Sequence, residues 1–200
     1  MLVAVTGNFG SGKSTVLQMF QELGAVTLSA DDLVRQLLVR PDVREQIKKA
    51  FGEGVFKGGF VDRQKLAGMV FSSDSARKTL EAMLHPRVYE AIMSKARAYA
   101  DSIVVAEVPL LFESGMQKDF DYVILVRCSR DKALHRLSNR GFSPEDARKR
   151  LAAQVPEELI RRHVDIIIDN SGSMDETRNQ VIAAWKQLQA RVKIGHSVGR

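Results

Sequence analysis

The sequence predicts an α/β fold built on a parallel sheet, and three observations lead there. Short apolar runs alternate with helical patterns along the chain, which is the signature of βαβ units. The first run, Leu2–Val5, opens directly into a glycine-rich loop followed by a helical pattern. The 200 residues are enough for one domain with a substantial core, and not comfortably for two.

Taken in order, Leu2–Val5 is a first strand stopped by Thr6-Gly7. Beyond the loop, Val16, Phe20 and Leu23 recur at helical spacing, with Gly24 placed to end that helix. Ala25–Leu28 reads as a second strand. From about residue 40 to 100 there is no convincing central strand but several helical patterns, one of them starting at Pro86, so a helical insertion is expected. Ile103–Val108 and Tyr122–Val126 are the third and fourth strands. Residues from about 136 to 163 are short, basic and helical. Within them Ser143-Pro144-Glu145-Asp146 supplies a cap, a proline at the first helical position and early acids. Ile166–Ile168 is the fifth strand. Ser173-Met174-Asp175-Glu176 forms a capping box ahead of Val181, Trp185, Leu188 and Val192 on one face. The tail from Arg191 to Arg200 is basic, unpatterned and expected to fray. The core then comprises about 1–39, 101–135 and 164–192, within a single domain.

Charge narrows the class of partner. The net charge of +6 favours anionic ligands, either nucleic acid or phosphorylated metabolites. Between Arg127 and Arg162 ten basic residues face five acidic ones, so 10 − 5 = +5 falls in this stretch. Solvated helix faces account for such charge as readily as a ligand does. Phe142 is the only aromatic residue there, which disfavours single-stranded nucleic acid. No run approaches the roughly 20 apolar residues of a membrane span. Cys128 is the only cysteine, so neither an internal disulfide nor a cysteine-based zinc cluster forms. Met1–Gly7 reads as a strand rather than a leader, and a cytoplasmic protein is expected.

The chemistry is carried by Gly7-Asn8-Phe9-Gly10-Ser11-Gly12-Lys13-Ser14, which fits the phosphate-binding pattern G-x-x-x-x-G-K-[ST]. Glycines let the backbone close on a phosphate, and the helix that follows adds the positive end of its dipole. Lys13 can reach β- and γ-phosphates, and the Ser14 hydroxyl can ligate Mg²⁺. The N-K-x-D segment of a guanine-nucleotide switch is absent from the sequence. A small-molecule kinase needs an acceptor pocket and cations that cover the reacting phosphates. The helical insertion and the basic segment are candidates for these. Asp31 and Asp32 follow the second strand, at the sheet edge where α/β folds bind ligands. A carboxylate there either orients an acceptor hydroxyl and takes its proton or caps the next helix.

Gly10-Ser11-Gly12-Lys13-Ser14-Thr15, Ala30-Asp31, Leu84-His85-Pro86, Pro109-Leu110-Leu111-Phe112-Glu113, Gln154 and Asp169-Asn170 stand in the order and at the spacing of the dephospho-coenzyme A kinases, which the chain resembles from Leu2 to about Trp185. The resemblance implies a P-loop kinase fold related to the nucleoside monophosphate kinases, with a five-stranded parallel core, a helical acceptor-binding insertion at about 40–100 and a lid at about 136–163. It implies transfer of a phosphoryl group from ATP, with Mg²⁺, to the ribose 3′-hydroxyl of dephospho-coenzyme A. On it, Lys13, Asp31 and Arg140 are catalytic, with Arg136 and Arg140 in the lid facing the transferred group. The loop residues Gly10 to Thr15 hold the phosphates, Asn170 and Gly172 border adenine, and His85, Pro109, Leu110, Phe112 and Glu113 shape the acceptor pocket. Glu107, ending the third strand, is a further candidate for Mg²⁺ through water. Three positions depart from the pattern: Ser29 for an aspartate, Asn8-Phe9 for a commoner glycine–aliphatic pair, and Ile160 for a common lysine.

Overall fold

The structure is a computed structural model and describes residues 1–152 and 154–197. In chain order, β1 (Leu2–Thr6), α1 (Lys13–Glu22) and β2 (Val26–Ser29) come first, followed by α2 (Ala30–Leu38) and α3 (Pro41–Phe51). A hairpin of β3 (Phe56–Lys57) and β4 (Phe60–Val61) precedes α4 (Arg63–Ser72) and α5 (Asp74–Ala98). Then come β5 (Val104–Glu107), β6 (Tyr122–Arg127), α6 (Arg130–Asn139), α7 (Pro144–Ala152), α8 (Glu157–Ile160), β7 (Ile166–Asp169) and α9 (Met174–Ser197).

Five strands form one parallel sheet in the order β2-β5-β1-β6-β7, the α/β architecture that the alternating pattern predicts. Every residue of β1 is buried, as a central strand covered on both faces requires. One side of the core joins Val3, Val5, Val105, Ile124, Val126 and Ile168 to Val16, Met19 and Phe20 of α1 and Val181, Ala184 and Leu188 of α9. The apolar stripes read in those two helices are the faces that cover the sheet. Trp185 closes the layer against Phe20, with ring centroids 6.3 Å apart.

The sheet carries the site at its carboxyl edge. Val5 pairs with Glu107 and Glu107 with Ser29, while Arg127 pairs with Asp169. The ends of β1, β5, β6 and β7 therefore meet along one line, where open α/β sheets bind ligands.

The chain divides into two compact units, Met1–Ser29 with Lys95–Arg200, and Ala30–Ser94. Three local readings change. The helix expected to begin at Pro86 is instead the second half of α5, which runs unbroken through that proline. Proline removes one helical donor, and the Arg87 side chain donates to the Met83 carbonyl at 2.7 Å beside the defect. The hairpin was not anticipated, although Gly58-Gly59, with φ of 58° and 78°, is the residue pair a tight β-turn favours. Finally, α9 continues to Ser197 where an unpatterned tail is expected. Adding turns to a helix already nucleated and packed costs little; the remaining tail residues, 198–200, lie outside those described.

Candidate active site

The phosphate loop is held in shape by contacts that only glycine allows. Gly7, Gly10 and Gly12 have φ of 144°, 81° and 93°. A Cβ at Gly7 would collide with the Val126 carbonyl, and one at Gly12 with the Asn170 amide. Gly12 stands at the start of α1 in a left-handed conformation, with no side-chain cap and no acid in the first turn. The Thr15 N–H turns back onto the Gly12 carbonyl at 3.1 Å, and the positive end of the helix dipole faces the loop. Ser14 is exposed there and Thr15 half-buried.

Lys13 is buried, at 8% exposure, and its ammonium donates to the carbonyls of Gly7 at 2.9 Å and Asn8 at 3.1 Å. The charge is thus stored on the loop's own backbone, within a side-chain rotation of the space the loop encloses. The Ser11 hydroxyl is buried in the loop with no hydrogen-bond partner. A buried group in that condition is costly, and a phosphate oxygen is a suitable acceptor for it.

Two distant side chains fix the loop from outside. Asn170, 2% exposed, donates through Nδ2 to the Ser11 carbonyl at 2.8 Å and accepts from the Thr177 hydroxyl at 3.0 Å. The resemblance implies that Asn170 meets adenine through its backbone. Here its N–H donates to the Arg127 carbonyl and its carbonyl accepts from Arg136, so its geometry is that of a loop brace. Arg136 braces the loop as well. Its guanidinium donates to the carbonyls of Ser11 at 3.0 Å, Gly10 at 3.4 Å and Asn170 at 3.0 Å. The planar fork of arginine suits such multiple bonding. Nothing near Asn170 or Arg136 in the sequence marks this role, because their partners in the loop lie more than a hundred residues away.

A narrow cleft opens beside the loop, lined by Thr6, Gly7 and Asn8, by Pro109, Phe112 and Glu113, and by Gln154, Val155 and Ile160. Three of the four acceptor-side residues expected in the Pro109–Glu113 turn therefore reach the phosphate loop. Leu110 does not: it is 41% exposed and outside the lining, while Leu111 is the fully buried anchor of that turn. Ile160, which stands where the pattern has a lysine, is buried and puts an apolar wall on the cleft. Glu107 is buried at the end of β5, in register between Val5 and Ser29.

Gly172 lines an open groove with Asp169, Ser171, Glu176, Asn179 and Gln180, and its carbonyl accepts from Lys132 Nζ at 3.0 Å. Asp169 is tied to Arg127 at 2.9 Å, and Arg127 reaches on to Glu157 at 3.1 Å. A hydrogen bond from the Ser171 side chain, joined by the Ser171 N–H and Arg127, holds the Asp169 carboxyl below the usual carboxylate range against the opposing effect of burial. Burial pushes the Cys128 thiol up, so this side chain beside Gly10 stays protonated and is a weak nucleophile. Arg140 is exposed at the C-terminal end of α6. In the other compact unit, Asp31 is exposed in the first turn of α2, and His85 is half-buried within α5, one residue before Pro86.

A parallel sheet whose first strand feeds a glycine-shaped phosphate loop, with a lysine and hydroxyls at the helix start, defines a P-loop kinase. A family model described as dephospho-CoA kinase matches residues 1–176. The protein of Geobacillus kaustophilus (strain HTA426) named dephospho-CoA kinase is 40% identical over 200 residues, covering 96% of this chain and 99% of that protein. Among solved structures, TT1252 from Thermus thermophilus superposes with a TM-score of 0.82 at 34% identity, covering 96% of this chain and 97% of the other. The dephospho-CoA kinase from Campylobacter jejuni gives 0.70 at 26% identity, covering 94% and 96%. The chain belongs to the dephospho-CoA kinase family.

Proposed function

We propose that this chain transfers the γ-phosphoryl group of ATP to the ribose 3′-hydroxyl of dephospho-coenzyme A, giving ADP and coenzyme A, the last step of coenzyme A synthesis. The observation that carries the reading is the cleft in which the phosphate loop faces Pro109, Phe112 and Glu113, the segment on which the family resemblance is most particular. The 3′-oxygen bonds to the γ-phosphorus as the bond to the β,γ-bridging oxygen breaks, and ADP leaves with that electron pair. Lys13 neutralises charge on the transferring and leaving oxygens once it leaves the Gly7 and Asn8 carbonyls. Asp31 orients the acceptor hydroxyl and takes its proton. Arg140 supplies a cation to the transferred group, and Gly172 borders the nucleotide base. His85 shapes the acceptor side. In this reading the insertion at about 40–100 binds the acceptor and the basic segment at about 136–163 is the lid.

Mg²⁺ fits the donors present. Among the described residues no group of three or more His, Cys, Asp or Glu side chains is placed to hold a metal. A hard cation that keeps phosphate and water oxygens as ligands would be held by the exposed Ser14 hydroxyl, with Glu107 as a further partner through water, and would neutralise phosphate charge. Among the described residues no helix is long and apolar enough to cross a membrane, which agrees with a cytoplasmic enzyme acting on a small molecule.

The test is ADP formation by the purified chain over a panel of acceptors. Dephospho-coenzyme A should be turned over at least roughly 10²-fold faster than AMP, CMP, adenosine or pantothenate, a discrimination on the scale of several matched polar contacts. Equal turnover of any of these would reject the acceptor while leaving the kinase class standing.

A further inference from the structure

Phe9 occupies the position in the phosphate loop where the family pattern has an aliphatic residue, and three groups from the basic segment converge on it. The Phe142 ring meets it edge-on, with centroids 5.2 Å apart and planes at 84°. The Arg150 guanidinium lies 5.4 Å from the Phe9 centroid and 4.9 Å from that of Phe142, within the range of a cation–π contact for both rings. The Phe9 N–H donates to Gln154 Oε1 at 2.7 Å. Ring edge, cation and amide thus fasten α7 and its flanks to one loop residue. Phe9 precedes the stretch from Gly10 to Thr15 that wraps the phosphates, so this attachment consumes none of their donors.

Edge-to-face and cation–π contacts depend on the ring's electron distribution rather than on its bulk. An aliphatic side chain fills similar space without holding a guanidinium. We propose that Phe9 is a positioning residue for phosphoryl transfer: it docks α7 through Phe142 and Arg150 and keeps the basic segment over the loop while the phosphoryl group moves. The proposal rests on the kinase reading above. A docked segment excludes water from the reacting phosphate, so losing the latch should divert ATP to hydrolysis as well as slow transfer to the acceptor.

The test compares Phe9→Leu, Phe9→Tyr and Arg150→Met with the unaltered chain, reading turnover, the Michaelis constant for ATP and ADP formed without acceptor. Phe9→Leu and Arg150→Met should each lower turnover about 10-fold, the scale of one lost cation–π and ring contact. The Michaelis constant for ATP should change by less than roughly 3-fold, because the phosphate donors are untouched. Acceptor-free hydrolysis should rise relative to transfer, and the double variant should be no slower than either single one. Phe9→Tyr should restore turnover. Independently of activity, amide exchange in α7 should quicken in Phe9→Leu. If Phe9→Leu behaves like Phe9→Tyr, or the two losses multiply, Phe9 is only a space-filler and the proposal is wrong. If the unaltered chain does not turn over the acceptor, the kinase reading fails first; unchanged α7 exchange in Phe9→Leu would then still overturn the latch.

Discussion

Asn170 shows how one side chain can set the geometry of a phosphate loop. Its amide bridges the Ser11 carbonyl and the Thr177 hydroxyl, so shortening it removes one hydrogen bond from each of two buried groups, about 0.5–1.5 kcal/mol per group, while Arg136 still donates to the Ser11 carbonyl and Thr177 to that of Ser173. Asn170→Ala should therefore lower thermal stability and weaken ATP binding roughly 10-fold, on the scale of one such group. Asn170→Asp keeps the acceptor for Thr177 but offers Ser11 no donor, and should bind ATP nearly as badly. ATP affinity equal to that of the unaltered chain in both variants would show that the loop holds itself. The acceptor side depends on a second residue. With Ser29 at the end of β2 in place of an aspartate, the proposed acceptor-side carboxylate is Asp31 alone. Asp31→Asn should cost turnover at least about 10²-fold, the lower end for a positioned proton acceptor, while ATP binding without acceptor stays intact. Ser29→Ala should stay within roughly 10-fold, the worth of one neutral hydrogen bond. The reverse ranking would make Asp31 a helix cap and nothing more.

At the scale of elements, the linkage from β6 and β7 to α8 behaves as one charged unit. Arg127 joins Asp169 to Glu157, and Ser171 completes the shell around Asp169. The folded-state pKa of Asp169 is lowered, so its stabilisation is present above the unfolded value of about 3.9 and is lost as pH falls through the lower folded value. Asp169→Asn should melt a few degrees lower near neutral pH, roughly 2–4 °C for a domain of this size. The gap should narrow as the pH of melting falls below that unfolded value and through the lower folded one; a gap independent of pH would assign the loss to packing. The elements themselves were mostly legible. Alternating apolar runs marked all five sheet strands, because β1, β5 and β6 are buried almost throughout. The capping box before α9 was equally plain: Glu176 accepts from the Ser173 N–H, and Ser173 Oγ from that of Glu176. What could not be read was α5, where a proline tolerated inside a helix looks in sequence like a proline starting one. The braces on the loop were illegible for another reason. Arg136 and Asn170 act across the fold, and local spacing carries no trace of a tertiary partner.

For the molecule as a whole, the excess positive charge suits the proposed reaction. Both proposed substrates are polyanions, and a net charge of +6 raises their local concentration in a salt-dependent way. Raising ionic strength from about 0.05 M to 0.5 M, which shortens the screening length several-fold, should raise the Michaelis constants for both substrates roughly 3- to 10-fold with turnover nearly constant. A fall in turnover with unchanged constants would place the charge in the transition state instead of in capture. The order of the sheet has a different consequence, concerning the making of the protein. β1 leaves the ribosome well before its neighbours, which begin at Val104 and Tyr122, and the amide that fixes the loop belongs to a residue 159 positions beyond Ser11. Contacts that distant form late, after the entropy of closing long loops has been met. While the chain is still emerging from the ribosome, the glycine loop is therefore a flexible tether without a defined nucleotide site. Nucleotide can stabilise the chain once Asn170 has reached the loop, but it cannot help the shorter nascent chain to fold.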